Sequence, residues 1–364
     1  MTRIQNIDKF RGCACLLVVL YHCYALTGLL PFDIPVLRDG IKMGGEVGVT
    51  MFFLLSGYGI YFSICRLENK NQLNYSTFLK ARIKRIVPQY YFNIAVMLLF
   101  TGSAVYLAKE HFWTIVSHLF FFHSWNFGWH GAINGVLWTM SVIFQFYLIA
   151  IPLYKLMKKI DNVWIFAAIS IAFTILMKWL ILNYIWVEDE TIYGSYVYFI
   201  PGRQIVTSLD NFVCGMCVAA INARRKEITS ITKIQRFGAG LNIIIFIILC
   251  ICAVKYGISG RNIWCYSWYS LLAVNLALLM YGISYTSKNG GISRFLLFIS
   301  KHEYGIYLWH LPIINNVVNS SQGVRNLIEN QNGIVLYIVL LILSVPIGIV
   351  IDYFFDNKTV AKKA

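Results

Sequence analysis

The sequence predicts an all-α protein, a polytopic membrane helix bundle of about ten transmembrane helices. Of its 364 residues, 58% are hydrophobic and only 13% are charged, whereas a soluble domain carries about 25% charged residues. Apolar stretches long enough to cross about 30 Å of hydrocarbon recur along the chain. Positive charges gather in alternate connecting segments, which gives the first span a direction. The length therefore divides into spans and not into several soluble domains.

Ten apolar stretches qualify as candidate spans, each close to the roughly 20 residues that a membrane helix needs. They cover residues 10–30, 46–65, 87–107, 133–154, 163–182, 197–221, 237–254, 264–284, 295–318 and 333–355. We interpret them as one transmembrane domain over residues 1–357, followed by a short basic tail at 358–364. The first stretch continues through Tyr21 and His22 without a small-residue cleavage pattern, so we expect a retained span and not a signal peptide.

The distribution of Lys and Arg orients the bundle. The chain carries 31 of these residues and a formal net charge of +15. With the N-terminus in the cytoplasm, most of the cations fall in inner segments, among them 66–85, 155–159 and 224–236. The acidic run 188–190 falls outside, and the positive-inside rule then places both termini in the cytoplasm. Because topology accounts for the positive surplus, we expect no nucleic-acid partner.

The nine cysteines lie mostly within the spans. Cys214 and Cys217 form a C-x-x-C pair, but this pair lies in the middle of a span and not beside a strand, as a redox site requires. Small, polarizable packing residues are the better interpretation. We therefore expect no metal or redox centre.

The first span carries ionisable residues that lipid disfavours, which makes them candidates for function. Arg11 and His22 are eleven residues apart, so they share one helix face with a rise of about 16 Å. Arg11 is either a snorkelling anchor at the cytoplasmic boundary or a site residue. His22 is either a hydrogen-bonded bundle histidine or a functional group. Asp8, three residues before Arg11, is expected to pair with it and orient it.

Arg82 and Arg85 are neighbours on a helix that we expect to enter the membrane at Pro88. Two guanidiniums on one face suit a phosphate-bearing cytoplasmic ligand through bidentate hydrogen bonds. A lipid headgroup satisfies the same geometry, and membrane lipid is an expected partner of the chain. The residues themselves leave the choice between a site and a lipid anchor open.

Two later spans carry further polar side chains. The sixth is expected to hold Arg203 and Asp210 about 10 Å apart on one face. The ninth carries Glu303 near its start and His310 within it. Each set is either a packed polar pair or part of a cavity.

The outer segment 111–138 is unusually rich in aromatic and imidazole side chains. One interpretation is an interfacial aromatic belt. The other is a platform on which sugar rings stack, because these side chains combine apolar faces with hydrogen-bonding edges. The residues concerned are His111, Trp113, His118, His123, Trp125, Trp129, His130 and Trp138.

Five blocks of residues, in order, resemble the membrane-bound acyltransferase 3 family over nearly the whole chain. The run from Asp8 to Gly12, followed by His22, is similar to the family's D-x-x-R-G and R-x10-H pattern. A second block, which contains Ser56, looks like its FFxLSG motif. The remaining blocks are Arg82 to Arg85 with Pro88, Leu137 to Ser141 with Tyr147 to Pro152, and Ser300 to Pro312.

The resemblance implies transfer of an acyl group, most often acetyl, from cytoplasmic acyl-CoA to a hydroxyl of an envelope or exported glycan, in the bacterial plasma membrane. The donor, acetyl-CoA or another acyl-CoA, would meet Arg11, Arg82 and Arg85. His22 is the preferred general base, with His310 in reserve, because an imidazole with a pKa near 6.5 can take a hydroxyl proton at neutral pH. The supporting or acceptor-side candidates are Asp8, Ser56, Trp138, Arg203, Asp210, Tyr307 and His310.

One position departs from the family pattern. Many members have a glutamate five residues after the tryptophan of the fourth block, where this chain has Ile143. The departure indicates a subgroup and puts glutamate-dependent chemistry in doubt. The chain stops soon after its last span, so we expect the membrane domain, or an unlinked extracytoplasmic partner, to complete transfer to a glycan or lipid-linked sugar.

Two other functions compete with acyl transfer. A transporter or flippase of a lipid-linked sugar explains the intramembrane charges and outer aromatic residues without an acyl donor. The sequence contains no inverted repeat and no paired broken helices, which disfavours it. A non-enzymatic sensor or scaffold predicts indifference to substitution of Arg82 and His22. The sequence chooses neither the glycan acceptor nor the length of the acyl group.

Overall fold

The computed structural model describes residues 5–28, 34–100, 109–185, 203–224, 233–258, 261–283, 290–320, 322–329 and 333–360. Within these ranges the chain is helical and contains no β-strand, so the all-α prediction is confirmed. Each of the ten predicted stretches overlaps a helix. The helices are α1 Gln5–Thr27, α2 Pro35–Asn69, α3 Tyr75–Phe100, α4 Phe112–Leu119, α5 Phe127–His130, α6 Trp138–Ile160, α7 Val163–Leu180, α8 Leu209–Arg224, α9 Lys233–Tyr256, α10 Ile263–Ile283, α11 Gly291–Lys301, α12 Glu303–Asn319, α13 Gln322–Glu329 and α14 Gly333–Val360.

Six of these helices are long and apolar enough to cross a membrane, judged by length and composition. They are α1, α2, α6, α7, α10 and α14. The count of about ten spans and the cytoplasmic placement of both termini stay predictions. Residues 361–364 of the predicted tail, like the acidic run 188–190, lie outside the described residues.

The sixth predicted span differs from the structure at its start. Helix α8 begins at Leu209, and Arg203 lies in the turn before it. In that turn the Thr207 N–H donates to the Gln204 carbonyl at 3.2 Å, and the Thr207 hydroxyl accepts from the Gln204 N–H at 3.1 Å. Such local bonding by a short polar side chain competes with a helix. The prediction that Arg203 and Asp210 share one helix face is therefore wrong.

The ninth predicted span is two helices and not one. Helix α11 ends at Lys301, and α12 begins at Glu303. Between them His302 has a non-helical conformation, with φ −111° and ψ 17°. Its Nδ1 lies 2.9 Å from an Asp352 carboxylate oxygen on α14. This buried contact fixes the break and places the Glu303 side chain at the start of a new helix.

Helix α2 lies at the centre of the bundle. It packs against α1 along one side and against α8 along another. The α8 contact depends on two glycines: a Cβ on Gly57 would lie 2.0 Å from the Phe212 carbonyl oxygen, and one on Gly215 would lie 1.9 Å from that of Leu54. Small residues let membrane helices approach closely in this way. The glycine of the FFxLSG-like block thus has a packing role.

Candidate active site

A cavity of about 140 Å³ lies among α1, α2, α3, α6 and α12. Five predicted site residues, far apart in sequence, meet in its lining: Arg11, Ser56, Arg82, Arg85 and Tyr307. The first two helices supply one wall, and the family-like blocks on α3, α6 and α12 supply the rest. The structure therefore collects parts of all five blocks around one space.

The direction of each helix orders the lining by depth. Phe52 precedes Gly59 on α2, and Thr139 precedes Tyr147 on α6, the latter pair separated by a rise of about 12 Å. Tyr307 lies one turn after Glu303 on α12. We call the end with Arg11, Arg82, Arg85 and Glu303 the mouth. The other end, lined by Phe52, Thr139, Met140 and Tyr307, is the inner end.

The arginines at the mouth have different neighbours. Arg11 Nη1 lies 3.2 Å from Asp8 Oδ1, which is the expected pair, and its Nε lies 3.2 Å from Glu303 Oε2. The Arg82 guanidinium lies over the rings of Phe78 and Tyr147, 5.5 and 5.7 Å from their centroids. Within the described ranges, no carboxylate lies within 4 Å of a nitrogen of Arg82 or Arg85. Excess positive charge at the mouth therefore comes from α3.

Ile143, at the position of the family glutamate, lines this cavity together with Glu303. A carboxylate is therefore present in the cavity, but it comes from α12 and not from α6. Its contact with Arg11 joins the start of α12 to the first span.

His22 and His310 form a pair beyond the inner end of the cavity. His310 Nε2 lies 3.0 Å from His22 Nδ1, although the residues are 288 positions apart in sequence. The His310 Nδ1 lies 3.0 Å from the Ile306 carbonyl oxygen, and the His22 Nδ1 lies 3.0 Å from that of Val18. The preferred and the reserve base candidates are thus direct neighbours.

These partners assign the protons of the two rings in their neutral form. A carbonyl only accepts, so His310 carries its proton on Nδ1 and offers the lone pair of Nε2. His22 must then carry its proton on Nδ1, where it faces His310 and Val18. The His22 Nε2 is left unprotonated, and no described residue hydrogen-bonds to it. His310 thus sets the tautomer of His22 and leaves Nε2 as the nitrogen that could accept a proton.

Trp138 and Arg203 belong to a second polar cluster, near the histidine pair. The Arg203 guanidinium lies 4.4 Å from the Trp138 ring centroid, and its Nη2 lies 3.5 Å from Glu46 Oε1. The Tyr269 hydroxyl donates to the other Glu46 oxygen at 3.0 Å. Arg203 is close enough to His22 to interact with it electrostatically. Asp210 is fully buried on α8, within electrostatic reach of Lys178.

The aromatic outer segment divides into two groups. Trp113 and Trp125 are exposed, as an interfacial belt requires. His118, His130 and Trp138 are buried, and the His130 ring stacks on Trp138 with centroids 5.5 Å apart. Burial lowers the pKa of His118 to about 4 and that of His130 to about 3, so both are neutral near pH 7. The buried group is packing around the second cluster and not an open platform.

Sequence reasoning missed several polar residues at these sites. Glu46 and Asp352 are acidic residues within apolar stretches. An acidic residue in such a stretch is a candidate for function, so the sequence could have indicated both. Thr139 and Tyr147 lie within a resemblance block but have no charge to single them out. No cluster of three or more His, Cys, Asp or Glu side chains placed to hold a metal occurs in the residues that the structure describes.

Comparison with known proteins agrees with the resemblance. The profile of the acyltransferase 3 family, described as "Acyltransferase domain", matches residues 4–353. The chain is 27% identical over 335 residues to the peptidoglycan O-acetyltransferase OatA of Listeria monocytogenes, covering 85% of this chain and 49% of that protein. It is 24% identical over 400 residues to the O-acetyltransferase OatA of Staphylococcus aureus, covering 99% and 57%.

The chain thus spans about half the length of these curated relatives. No solved structure matches it. The family profile covers nearly every described helix, including all those that line the cavity and carry the histidine pair. The chain therefore belongs to the acyltransferase 3 family.

Proposed function

We propose that the protein is a multi-pass plasma-membrane O-acyltransferase that moves an acetyl group from cytoplasmic acetyl-CoA to a hydroxyl of an envelope glycan. We choose acetyl as the transferred group because both relatives are named O-acetyltransferases. One of these names gives peptidoglycan as the acceptor. Ten spans with both termini in the cytoplasm would direct the mouth, at the starts of α1 and α12, toward the cytoplasm. The donor then enters from the inner side and the glycan from the outer side.

The observation that carries the proposal is that Arg82 and Arg85, at the cavity mouth, have no described carboxylate within 4 Å. Coenzyme A carries several phosphate groups, and guanidiniums bind phosphate through parallel hydrogen bonds. Arg82 and Arg85 have donors to spare for such a ligand, whereas Arg11 already hydrogen-bonds to Asp8 and forms an ion pair with Glu303. The donor's phosphates would stay at the mouth while its thioester extends toward the inner end.

The proposed base for the transfer step is His22, which lies beyond the inner end of the cavity. The glycan hydroxyl attacks the thioester carbonyl carbon, a C–O bond forms and the C–S bond breaks. His22 Nε2 takes the hydroxyl proton, and the proton passes to the departing thiolate, which leaves as the free thiol. Positively charged His22 is stabilised through Nδ1 by the His310 lone pair and the Val18 carbonyl. Trp138 and Arg203 are the acceptor-side candidates.

The test is transfer of label in isolated membranes. Membranes that contain the protein are mixed with acetyl-CoA labelled in the acetyl group and with peptidoglycan fragments, and the glycan is examined by mass spectrometry. We expect an added acetyl ester on a sugar hydroxyl, absent from membranes that lack the protein. A flippase would move lipid-linked sugar without needing acetyl-CoA. Sugar movement that is independent of acetyl-CoA, with no esterified glycan, contradicts the proposal.

A further inference from the structure

The inner end of the cavity is closed by a small hydrogen-bonded group. The Thr139 hydroxyl lies 2.7 Å from the Tyr307 hydroxyl. Both also face the Val136 carbonyl oxygen, at 3.0 Å from Thr139 and 3.2 Å from Tyr307. Thr139 and Tyr307 are each more than 90% buried.

Proton accounting shows that this group is complete without a ligand. Two hydroxyl protons are available, and the acceptors are the Val136 carbonyl and the two hydroxyl oxygens. One hydroxyl donates to the carbonyl and the other donates to its partner hydroxyl, whichever way round they are arranged. Neither proton is left over for the cavity. The inner end therefore presents a wall to a ligand and not a hydrogen-bond donor.

The wall is one side chain thick. The Tyr307 ring lines the cavity, and its centroid lies 5.8 Å from that of His310. The Phe52 ring meets Tyr307 edge to face, with centroids 5.3 Å apart, and holds it from the α2 side. Tyr307, hydrogen-bonded to Thr139, thus lies between the cavity and the histidine pair.

We propose that Thr139 and Tyr307 form the end wall that sets the length of the acyl group accepted from the donor. This inference rests on the proposed function, in which the donor enters with its acyl group first because its phosphates stay at the mouth. The cavity is about 140 Å³ in all, similar to engineered cavities of about 150 Å³ that hold one benzene. Each added methylene therefore presses on the wall before transfer begins, and short acyl groups are selected.

The experiment compares acyl groups of increasing length in membranes that contain the full chain. Acetyl-, propionyl- and butyryl-CoA are supplied to wild type, to Thr139→Ala and to Thr139→Val. The alanine variant removes bulk from the wall. The valine variant keeps the shape and removes the hydroxyl, while Tyr307 still bonds to the Val136 carbonyl. Met140→Ala, at a buried neighbouring position of the inner end, replaces Thr139→Ala if that variant does not accumulate.

We expect wild type to transfer acetyl far faster than butyryl. The butyryl-to-acetyl ratio of kcat/KM should rise at least about 10-fold in Thr139→Ala, since one methylene in an apolar pocket changes selectivity about 10- to 200-fold. Thr139→Val should keep the wild-type ratio. Acetyl transfer by wild type, with an unchanged length profile in Thr139→Ala or in its replacement Met140→Ala, overturns the wall and leaves the proposed function standing. Absence of transfer from every acyl-CoA in wild type overturns both.

Discussion

The cavity mouth and the histidine pair both consist of ionisable side chains within an apolar helix bundle. The two places differ in the hydrogen-bond and charge partners of those side chains. His22 and His310 hydrogen-bond to each other and to two backbone carbonyls, which leaves one unprotonated nitrogen, His22 Nε2, without a described partner. At the mouth, Arg82 contacts aromatic rings and no described carboxylate. A complete neutral pair is suited to chemistry, whereas an uncompensated cation is suited to binding. We therefore expect substitutions at the two places to change different kinetic constants.

The arginines at the mouth also differ from one another in their charge partners. Arg11 lies between two carboxylates, so the three charges together are not positive. Its contacts link the first span to the start of α12 through Glu303. We propose that Arg11 acts mainly by positioning Glu303, while its contact with the donor stays a prediction. Arg82 and Arg85 provide the charge that a phosphate would meet.

The largest expected effect is that of His22→Ala. Loss of a general base lowers the rate by about 10²- to 10⁴-fold, so we expect kcat for acetyl transfer to fall by that factor. The KM for acetyl-CoA should change little, because the mouth is untouched. The measurement is steady-state transfer in membranes at matched protein levels.

His111→Ala is the matched control, since that half-buried histidine lies in the outer segment, away from the cavity lining. We expect wild-type kinetics from it. Full transfer by His22→Ala would exclude this residue as the base. A raised KM with an unchanged kcat would instead remove the distinction between the two places.

Arg11→Met tests how much the contacts of Arg11 with Asp8 and Glu303 contribute to the stability of the fold. The side chains of Arg11, Asp8 and Glu303 are 21%, 9% and 16% exposed, so the substitution leaves two poorly solvated carboxylates without their cation. Breaking such a pair costs up to about 3–5 kcal/mol, and partial exposure favours the lower end. We expect a lower thermal unfolding midpoint in detergent.

The double variant Arg11→Met with Glu303→Met removes one of the stranded charges. We expect it to be more stable than the sum of the single effects by about 0.5–3 kcal/mol, as for residues in direct contact. Strict additivity of the two substitutions would show that the Arg11 and Glu303 charges act independently.

Arg82→Gln tests the opposite case, a cation without a carboxylate. Removing it strands no described carboxylate, so we expect the unfolding midpoint to change little. Hydrogen bonds to charged groups contribute about 1.5–3 kcal/mol, and tenfold in affinity is about 1.4 kcal/mol. The KM for acetyl-CoA should therefore rise by about one to two powers of ten with kcat nearly unchanged. Lys80→Gln, an exposed cation earlier on α3, is the control and should retain the wild-type KM.

The distribution of apolar residues was sufficient to predict the long helices but not the short helices α4, α5 and α13, and the resemblance blocks indicated which of the long helices meet. Every predicted stretch overlaps a helix, and the blocks do converge on one cavity. The helix breaks were not predictable, because His302 and Thr207 interrupt apolar runs through contacts with Asp352 and Gln204. Hydropathy averages over such single residues.

The partners of each charge were also beyond the sequence. The i, i+3 spacing gave the Asp8 contact of Arg11, but the Glu303 contact joins residues almost 300 positions apart. The same holds for His22 with His310. These pairings depend on how α1 and α12 lie against each other, which helical periodicity alone does not determine. Both histidines were candidates, yet their joint arrangement emerged only from three-dimensional packing.

The smallest effect we expect is the dependence of donor binding on salt. Arg85 is exposed at the mouth. At 0.1 M ionic strength, dissolved ions largely screen the attraction between exposed charges that are more than about 10 Å apart. The wild-type KM for acetyl-CoA should rise a few-fold as salt increases, and Arg85→Gln should flatten that slope because one of the charges being screened is gone. Lys84→Gln, an exposed neighbour outside the cavity lining, should keep the wild-type slope. Equal slopes in all three proteins would mean that Arg85 contributes no charge to the donor site. The excess charge would then belong to Arg82 alone, held by its aromatic neighbours.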